Sequence, residues 1–128
     1  MTEFRKNGHP EADLQRAIVH ALRVVLPLGA IVHASNNEIR GGSDWAKKQQ
    51  AKNKSMGQYP GYPDLVIHHE GRTLFLEVKT PQGAMSRAQR EFRGLVERQG
   101  FPFAIVRSVD EALAALREFN FKTRVFYG

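Results

Sequence analysis

Three residues of the segment YPGYPDLVIHHEGRTLFLEVKTPQG (residues 59–83) bring chemistry that their surroundings do not invite. Asp64, Glu77 and Lys79 lie in runs otherwise built of Leu, Val, Ile and Phe, the composition of strands bound for a hydrophobic core. Between the runs stands Glu70-Gly71, a two-residue spacing that predicts a tight hairpin with Gly supplying positive φ. With those two residues at the turn His69 stands opposite Arg72, and the same register carried back sets Asp64 opposite Glu77 on one face, Cβ atoms roughly 4.5–5.5 Å apart. Two carboxylates so placed repel each other unless something positive sits between them. A divalent cation is the simplest such object. Oxygen-only ligands favour a hard ion, Mg²⁺ or Mn²⁺, which also accepts a substrate phosphate oxygen. Lys79, two residues beyond Glu77, projects to the same face, where it would hold the attacking water or offset charge building on the phosphate. Taken singly, Asp64 reads equally well as a turn residue at a strand entrance, and Glu77 with Lys79 as a solvated edge pair. The three together, after Pro63 and within apolar strands, favour the metal. The same reading expects Asp64→Asn or Glu77→Gln to leave the metal-free fold intact or firmer, because repulsion is relieved.

The elements that must position these residues follow from periodicity. PEADLQRAIVHALRVVL spaces Leu14, Ala17, Ile18, Ala21, Leu22 and Val25 as one face of an amphipathic helix, with Pro10 in its first turn and Pro27 and Gly29 stopping it. AIVHAS (30–35) reads as a short strand. The stretch 36–61 is the least patterned, and within it Ser43 or Asp44 is placed to cap a short helix from Trp45 to Lys54 that ends near Gly57. The strands DLVIHH and RTLFLEVK come next, and then a loop, TPQGAM. SRAQREFRGLVERQG is a helix opened by a Ser86/Gln89 capping box and stopped at Gly100. FPFAIVR reads as a buried strand, and Ser108 with Glu111 forms a second box opening VDEALAALREF. The tail NFKTRVFYG suits a last strand, a docked arm or a dimer contact. A helix between the third and fourth strands is a crossover, so those two run parallel while the hairpin is antiparallel. The expected fold is α/β with a mixed sheet.

On these residues the chain resembles a known family. YPD (62–64) followed by EVK (77–79) is similar to the PD-(D/E)XK nuclease signature. The longer pattern SNNEIR…GQYPGYPDLVI…LFLEVKTPQGAMSRAQREFRGLVERQG looks like its VRR-Nuc branch over roughly residues 11–107. The resemblance implies a restriction-endonuclease-like αβββαβ core, and a metal held by Asp64, Glu77 and the Val78 carbonyl with Lys79 as catalytic lysine. It adds Glu11 on the first helix, as a further metal-site carboxylate, and Gln89, as a substrate or water contact. For Glu11 the alternative is a first-turn carboxylate stabilised by the helix dipole. For Gln89 it is the capping-box partner of Ser86, and both roles are compatible. The implied activity is metal-dependent DNA endonuclease, structure-selective for branched or four-way junction DNA as a homodimer, because one centre per chain makes one cut. The alternatives are a non-catalytic DNA-binding module on the same fold, or an RNA-directed nuclease.

Bulk properties agree. A chain of 128 residues carries 19 Lys and Arg against 13 Asp and Glu, a formal charge of +6, and favours an anionic partner, nucleic acid first. Its length suits one nuclease domain over 1–128, with the core at about 10–119 and a tail at 120–128. Cysteine is absent, which excludes disulfides and thiolate metal sites. The most apolar window is broken by Arg23, Pro27 and Gly29, and the first residues hold no apolar signal region, so a soluble cytoplasmic protein is expected. A phage-encoded origin in a bacterial host would suit so compact a nuclease. Arg40, Trp45, Lys47, Lys48, Lys52 and Lys54, faced by the single Asp44, form a segment able to track a phosphate backbone and stack on a base. Arg87, Arg90 and Arg93 add charge on the later helix. The five histidines match no zinc spacing, and no Gly-rich nucleotide loop occurs, so no nucleotide cofactor is expected.

Overall fold

A computed structural model describes residues 8–35 and 42–124. The elements are α1 (Pro10–Val25), β1 (Ile31–Ala34), α2 (Asp44–Ser55), β2 (Leu65–His69), β3 (Arg72–Val78), α3 (Arg87–Arg98), β4 (Phe103–Val106) and α4 (Val109–Glu118). Four strands form one sheet in the order β1-β2-β3-β4. The first three are antiparallel neighbours; β3 and β4, joined through α3, are parallel. This is the expected mixed sheet.

Alternation along the strands divides the core in two. Leu65 and Ile67 of β2 and Leu74, Leu76 and Val78 of β3 pack with Ile18 and Leu22 of α1 and Ala112, Ala115 and Leu116 of α4. Val66, Phe75 and Phe103 point the other way and pack against Phe92 and Val96 of α3. Residues spaced by two share a face, so Asp64 belongs with Val66, and Glu77 and Lys79 with Phe75. The candidate residues therefore lie on the α3 side of the sheet.

The hairpin turns as its spacing requires: Glu70 and Gly71 have φ of 50° and 74°, the two positive values of a type I′ turn. α2 is capped by Ser43, whose hydroxyl accepts from the Ala46 N–H, and runs one residue further at each end than the sequence predicts. The last described residues form the docked arm. Arg72 places its guanidinium 4.5 Å over the Phe121 ring and donates to the carbonyls of Phe119 and Asn120. Lys122 meets Glu70 at 3.0 Å, a hydrogen bond that holds the Glu70 carboxyl below its usual range. Arg124 binds the carbonyls of Val25 and Leu26 at the end of α1. No helix among the described residues is long and apolar enough to cross a membrane.

Candidate active site

The site starts from a wedge of backbone. Tyr59-Pro60-Gly61-Tyr62 makes a turn closed by Tyr62 N–H to Tyr59 carbonyl, 3.2 Å. Gly61 adopts φ +76° and lies so near α3 that a Cβ there would sit 2.3 Å from the Ala88 carbonyl oxygen. Only glycine fits. Tyr62 then packs edge-on against Phe75 and Phe92, with centroids at 5.9 and 5.1 Å. Pro63 is fully buried, its carbonyl accepting from the Ser35 hydroxyl at 2.7 Å. The Asp64 carbonyl accepts from the Ser35 N–H at 3.0 Å. The chain thus enters β2 with its path fixed from both sides.

Leu65 pairs with Leu76 and His69 with Arg72, the expected register, which extended one step sets Asp64 opposite Glu77. Asp64 Oδ2 accepts from the Val78 N–H at 2.9 Å, reaching across to the partner strand. In an antiparallel ladder a residue's N–H and C=O point to the same side, so the Val78 carbonyl opens toward Asp64 as well. Glu77 Oε1 receives Gln89 Nε2 at 2.9 Å and lies 3.7 Å from Lys79 Nζ.

Among the described residues, the buried polar or charged side chains are Asp64, Glu77, Lys79 and Gln89, each no more than 7% exposed. All four converge on this one point of the sheet. Buried charge is costly unless paired, so the cluster is tolerated by mutual compensation. Two carboxylates against one ammonium still leave a net negative charge. Its oxygens, with the Val78 carbonyl, are a donor set suited to a hard divalent cation.

Gln89 fills both of its expected roles. Its Oε1 accepts from the Ser86 N–H at 2.8 Å while its own N–H donates to Ser86 Oγ at 3.2 Å, closing the capping box. With the amide oxygen held there, the amide nitrogen must face Glu77. The helix cap thus orients the donor in the site. At the start of α4, by contrast, Ser108 Oγ accepts from the Glu111 N–H and lies 3.4 Å from the Glu111 carboxylate.

Glu11 is not brought into a three-ligand group with this pair. It lies partly buried in the first turn of α1, the helix that packs on the other side of the sheet. Among the described residues no three His, Asp or Glu side chains are grouped to hold an ion. Arg40 falls outside the described residues. Trp45, Lys47, Lys48, Lys52 and Lys54 are all exposed on α2, Trp45 by 68%. Helical spacing divides them: Trp45, Lys48 and Lys52 share one face, Lys47 and Lys54 another. They are not one stripe. Arg87 is exposed and paired with Glu91 at 2.9 Å, Arg90 donates to the Met85 carbonyl, and Arg93 lies over Phe103. His68 binds the Thr73 hydroxyl at the far end of the hairpin, away from the carboxylates.

Sequence reasoning passed over Arg107. It donates to the carbonyls of Thr80 and Gly83, both at 2.7 Å, and so ties down the loop that follows Lys79. A Cβ on Gly83 would come within 3.5 Å of Lys79 Cδ, so this loop forms one wall around the lysine. The available signal was a lone arginine closing the otherwise apolar strand FPFAIVR.

A solved structure titled "VRR_NUC domain protein" matches with a TM-score of 0.69 and 21% identity over 88% of this chain and 89% of that one. A second, titled "VRR_NUC domain", matches with a TM-score of 0.58 and 19% identity over 89% of this chain and 100% of that one. At such identities the likeness is one of fold, the restriction-endonuclease-like arrangement of a mixed sheet between helices. A search of curated proteins gave no match. The family model described as VRR-NUC domain matches residues 9–110, a span that holds Asp64, Glu77, Lys79 and Gln89, and the chain belongs to that nuclease-type family.

Proposed function

We propose that this chain is a Mg²⁺- or Mn²⁺-dependent endonuclease that hydrolyses DNA phosphodiester bonds, with branched DNA as its substrate and a homodimer as its working form. The observation that carries the reading is the convergence of every buried polar side chain among the described residues on the Asp64–Glu77 pair. Asp64, Glu77 and the Val78 carbonyl would hold the ion. When bound, such an ion polarises a phosphoryl oxygen and makes hydroxide accessible at neutral pH. Lys79 is held within 3.7 Å of Glu77 by strand geometry and by the loop that Arg107 anchors, so its ammonium is preorganised to offset charge that develops on the phosphate. Gln89 fixes the Glu77 carboxylate by donating to it, which keeps one oxygen oriented before substrate arrives. One such centre serves one strand, so symmetric cutting of a junction calls for two copies.

The test is cleavage of linear, flap and four-way junction DNA with Mg²⁺, Mn²⁺ or EDTA. Metal-dependent cutting that favours branched DNA is expected. Metal-independent cutting rejects the mechanism, and binding without cutting under every metal condition converts the chain into a DNA-binding module.

Gln89→Glu separates the roles of Gln89. Glutamate is a good capping-box residue, so α3 stays capped. A second carboxyl against Glu77 has its pKa raised by the like charge. While protonated it donates to Glu77 as the amide does; once ionised it repels. Cleavage by the variant should therefore fall as pH rises, by roughly 10–100-fold relative to wild type at the alkaline end. A pH profile parallel to wild type contradicts the role given to Gln89.

Removing lysines from α2 tests the DNA surface. Each lost phosphate contact reduces the slope of log K against log salt by roughly one. Because α2 divides its charges between two faces, Lys48→Ala with Lys52→Ala and Lys47→Ala with Lys54→Ala should differ in slope. Equal slopes in both double variants and wild type would mean that α2 touches no phosphate.

A further inference from the structure

We infer that the groove between α2 and α3 is a subsite for one unpaired nucleotide of the DNA, with the Tyr59 ring as its stacking surface. The inference rests on the nuclease reading and names a feature of the substrate that the metal centre does not select.

The groove has a volume of about 430 Å³ and is lined by Lys54, Gln58, Tyr59, Pro60, Glu91 and Phe92. That lies in the ~300–1,000 Å³ range of small-ligand sites. Tyr59 is 51% exposed, although Phe92 steadies it edge-on at 5.6 Å. A braced aromatic ring with open surface is a ready stacking platform, and every base has a π-face to offer it.

Position ties the groove to the reacting centre. Ala88 lines it, touches Gly61 in the wedge, and precedes Gln89, whose amide donates to Glu77. A nucleotide held on Tyr59 would adjoin the phosphate presented to Asp64 and Glu77.

Charge argues for a base. The acid at the groove, Glu91, is offset by Arg87 at 2.9 Å, and the remaining charged lining residue is Lys54. A lining that is largely aromatic and aliphatic, with one cation left over, fits a neutral base joined to a single phosphate. A charged duplex backbone would want more cations. Gln58 brings an amide that both donates and accepts, as a base edge requires. A paired, stacked base shows neither face nor pairing edge, so the occupant must be unpaired. Such a subsite gives a physical basis for preferring branched DNA with an unpaired nucleotide at the branch, as a flap has; a fully paired four-way junction supplies one when a pair at its branch point opens.

The test uses the full chain in EDTA, which blocks metal-dependent cutting, with two oligonucleotides carrying 2-aminopurine. In one it is the sole unpaired base beside a branch point, and in the other it lies in uninterrupted duplex. Wild type and Tyr59→Phe should quench the unpaired probe, and Tyr59→Ala should not. Tyr59→Ala should weaken binding to the branched probe by about tenfold, the scale of base–aromatic stacking, with duplex binding changed less than twofold. Tyr59→Phe, which keeps the ring against Phe92, guards against misfolding as the cause. Equal binding of both probes by wild type and Tyr59→Ala, or no quenching by wild type, overturns the subsite alone. Failure of wild type to bind either DNA in EDTA overturns the subsite, and absence of cleavage with Mg²⁺ or Mn²⁺ overturns the nuclease reading with it.

Discussion

Asp64→Asn should lower metal-dependent DNA cleavage by a factor on the order of 10³, at the upper end of what one preorganised charged group supplies, and should leave the metal-free protein as stable as wild type. The substituted amide still has an oxygen to accept the Val78 N–H, so the 2.9 Å contact that ties β2 to β3 survives. Asp64→Ala loses the same activity but strands a buried backbone donor, at a cost of about 1–3 kcal/mol. Glu77→Gln behaves differently. It removes the charge that faces Lys79 at 3.7 Å, in a place where the lysine side chain is only 8% exposed. A buried ammonium beside a neutral amide is worse off than one beside a carboxylate. Glu77→Gln should therefore melt below Asp64→Asn, and restoring neutrality with Lys79→Met in the Glu77→Gln background should recover part of the loss. Thermal melts of wild type and the four variants, all metal-free, check this. Equal melting temperatures for Asp64→Asn and Glu77→Gln contradict the asymmetry.

Gly61→Ala is the second large effect, and its target is the wedge. An alanine at φ +76° carries about 1–2 kcal/mol of left-handed strain. Its Cβ, 2.3 Å from the Ala88 carbonyl oxygen and 2.7 Å from the Gln89 nitrogen, also forces backbone apart for about 1–3 kcal/mol more. Together these correspond to a fall in melting temperature on the order of 10 °C. Relief can come only by moving the start of α3 or the segment leading to Asp64. Either movement separates Gln89 from Glu77, so cleavage should drop well below the melting transition. Gly57→Ala is the control: φ is +101°, yet nothing lies within 4 Å of a Cβ there. It should show the strain without the clash. Similar losses in the two variants would mean that the contact with α3 is dispensable.

The hairpin was legible because its signals are local. Period-two alternation, a two-residue turn at Glu70-Gly71 and the fixed register that follows are all contained in sixteen consecutive residues, 64–79, and the structure keeps that register. The Ser86/Gln89 box was legible for the same reason. What escaped is held by contacts between residues far apart in sequence, which leave no periodic trace. Ser35, the residue after β1, fixes Pro63 and Asp64, and Arg107 reaches the loop at Thr80 and Gly83. Gly61 stood in the recognised motif, but its reason, the nearness of Ala88, exists only once α3 has packed. The separate partners of Asp64 and Glu77, a backbone N–H for one and Gln89 with Lys79 for the other, leave no trace in the alternation that places them opposite each other. Composition counted the α2 lysines as one segment, and helical geometry distributed them over two faces. NFKTRVFYG suits a strand, an arm or a dimer contact by pattern alone, and over its described residues it is a docked arm, because Arg72 binds the carbonyls of Phe119 and Asn120 and lies over the Phe121 ring.

Whether Asp64 and Glu77 together hold a divalent ion is read from a Mn²⁺ titration of the DNA-free protein, with unbound Mn²⁺ followed by electron paramagnetic resonance. Wild type should take up the ion saturably, and Asp64→Asn and Glu77→Gln should each weaken uptake by ~10-fold or more, because each loses a charged oxygen ligand. Saturable uptake of the same strength in all three proteins, or none in wild type, would contradict joint binding by the pair.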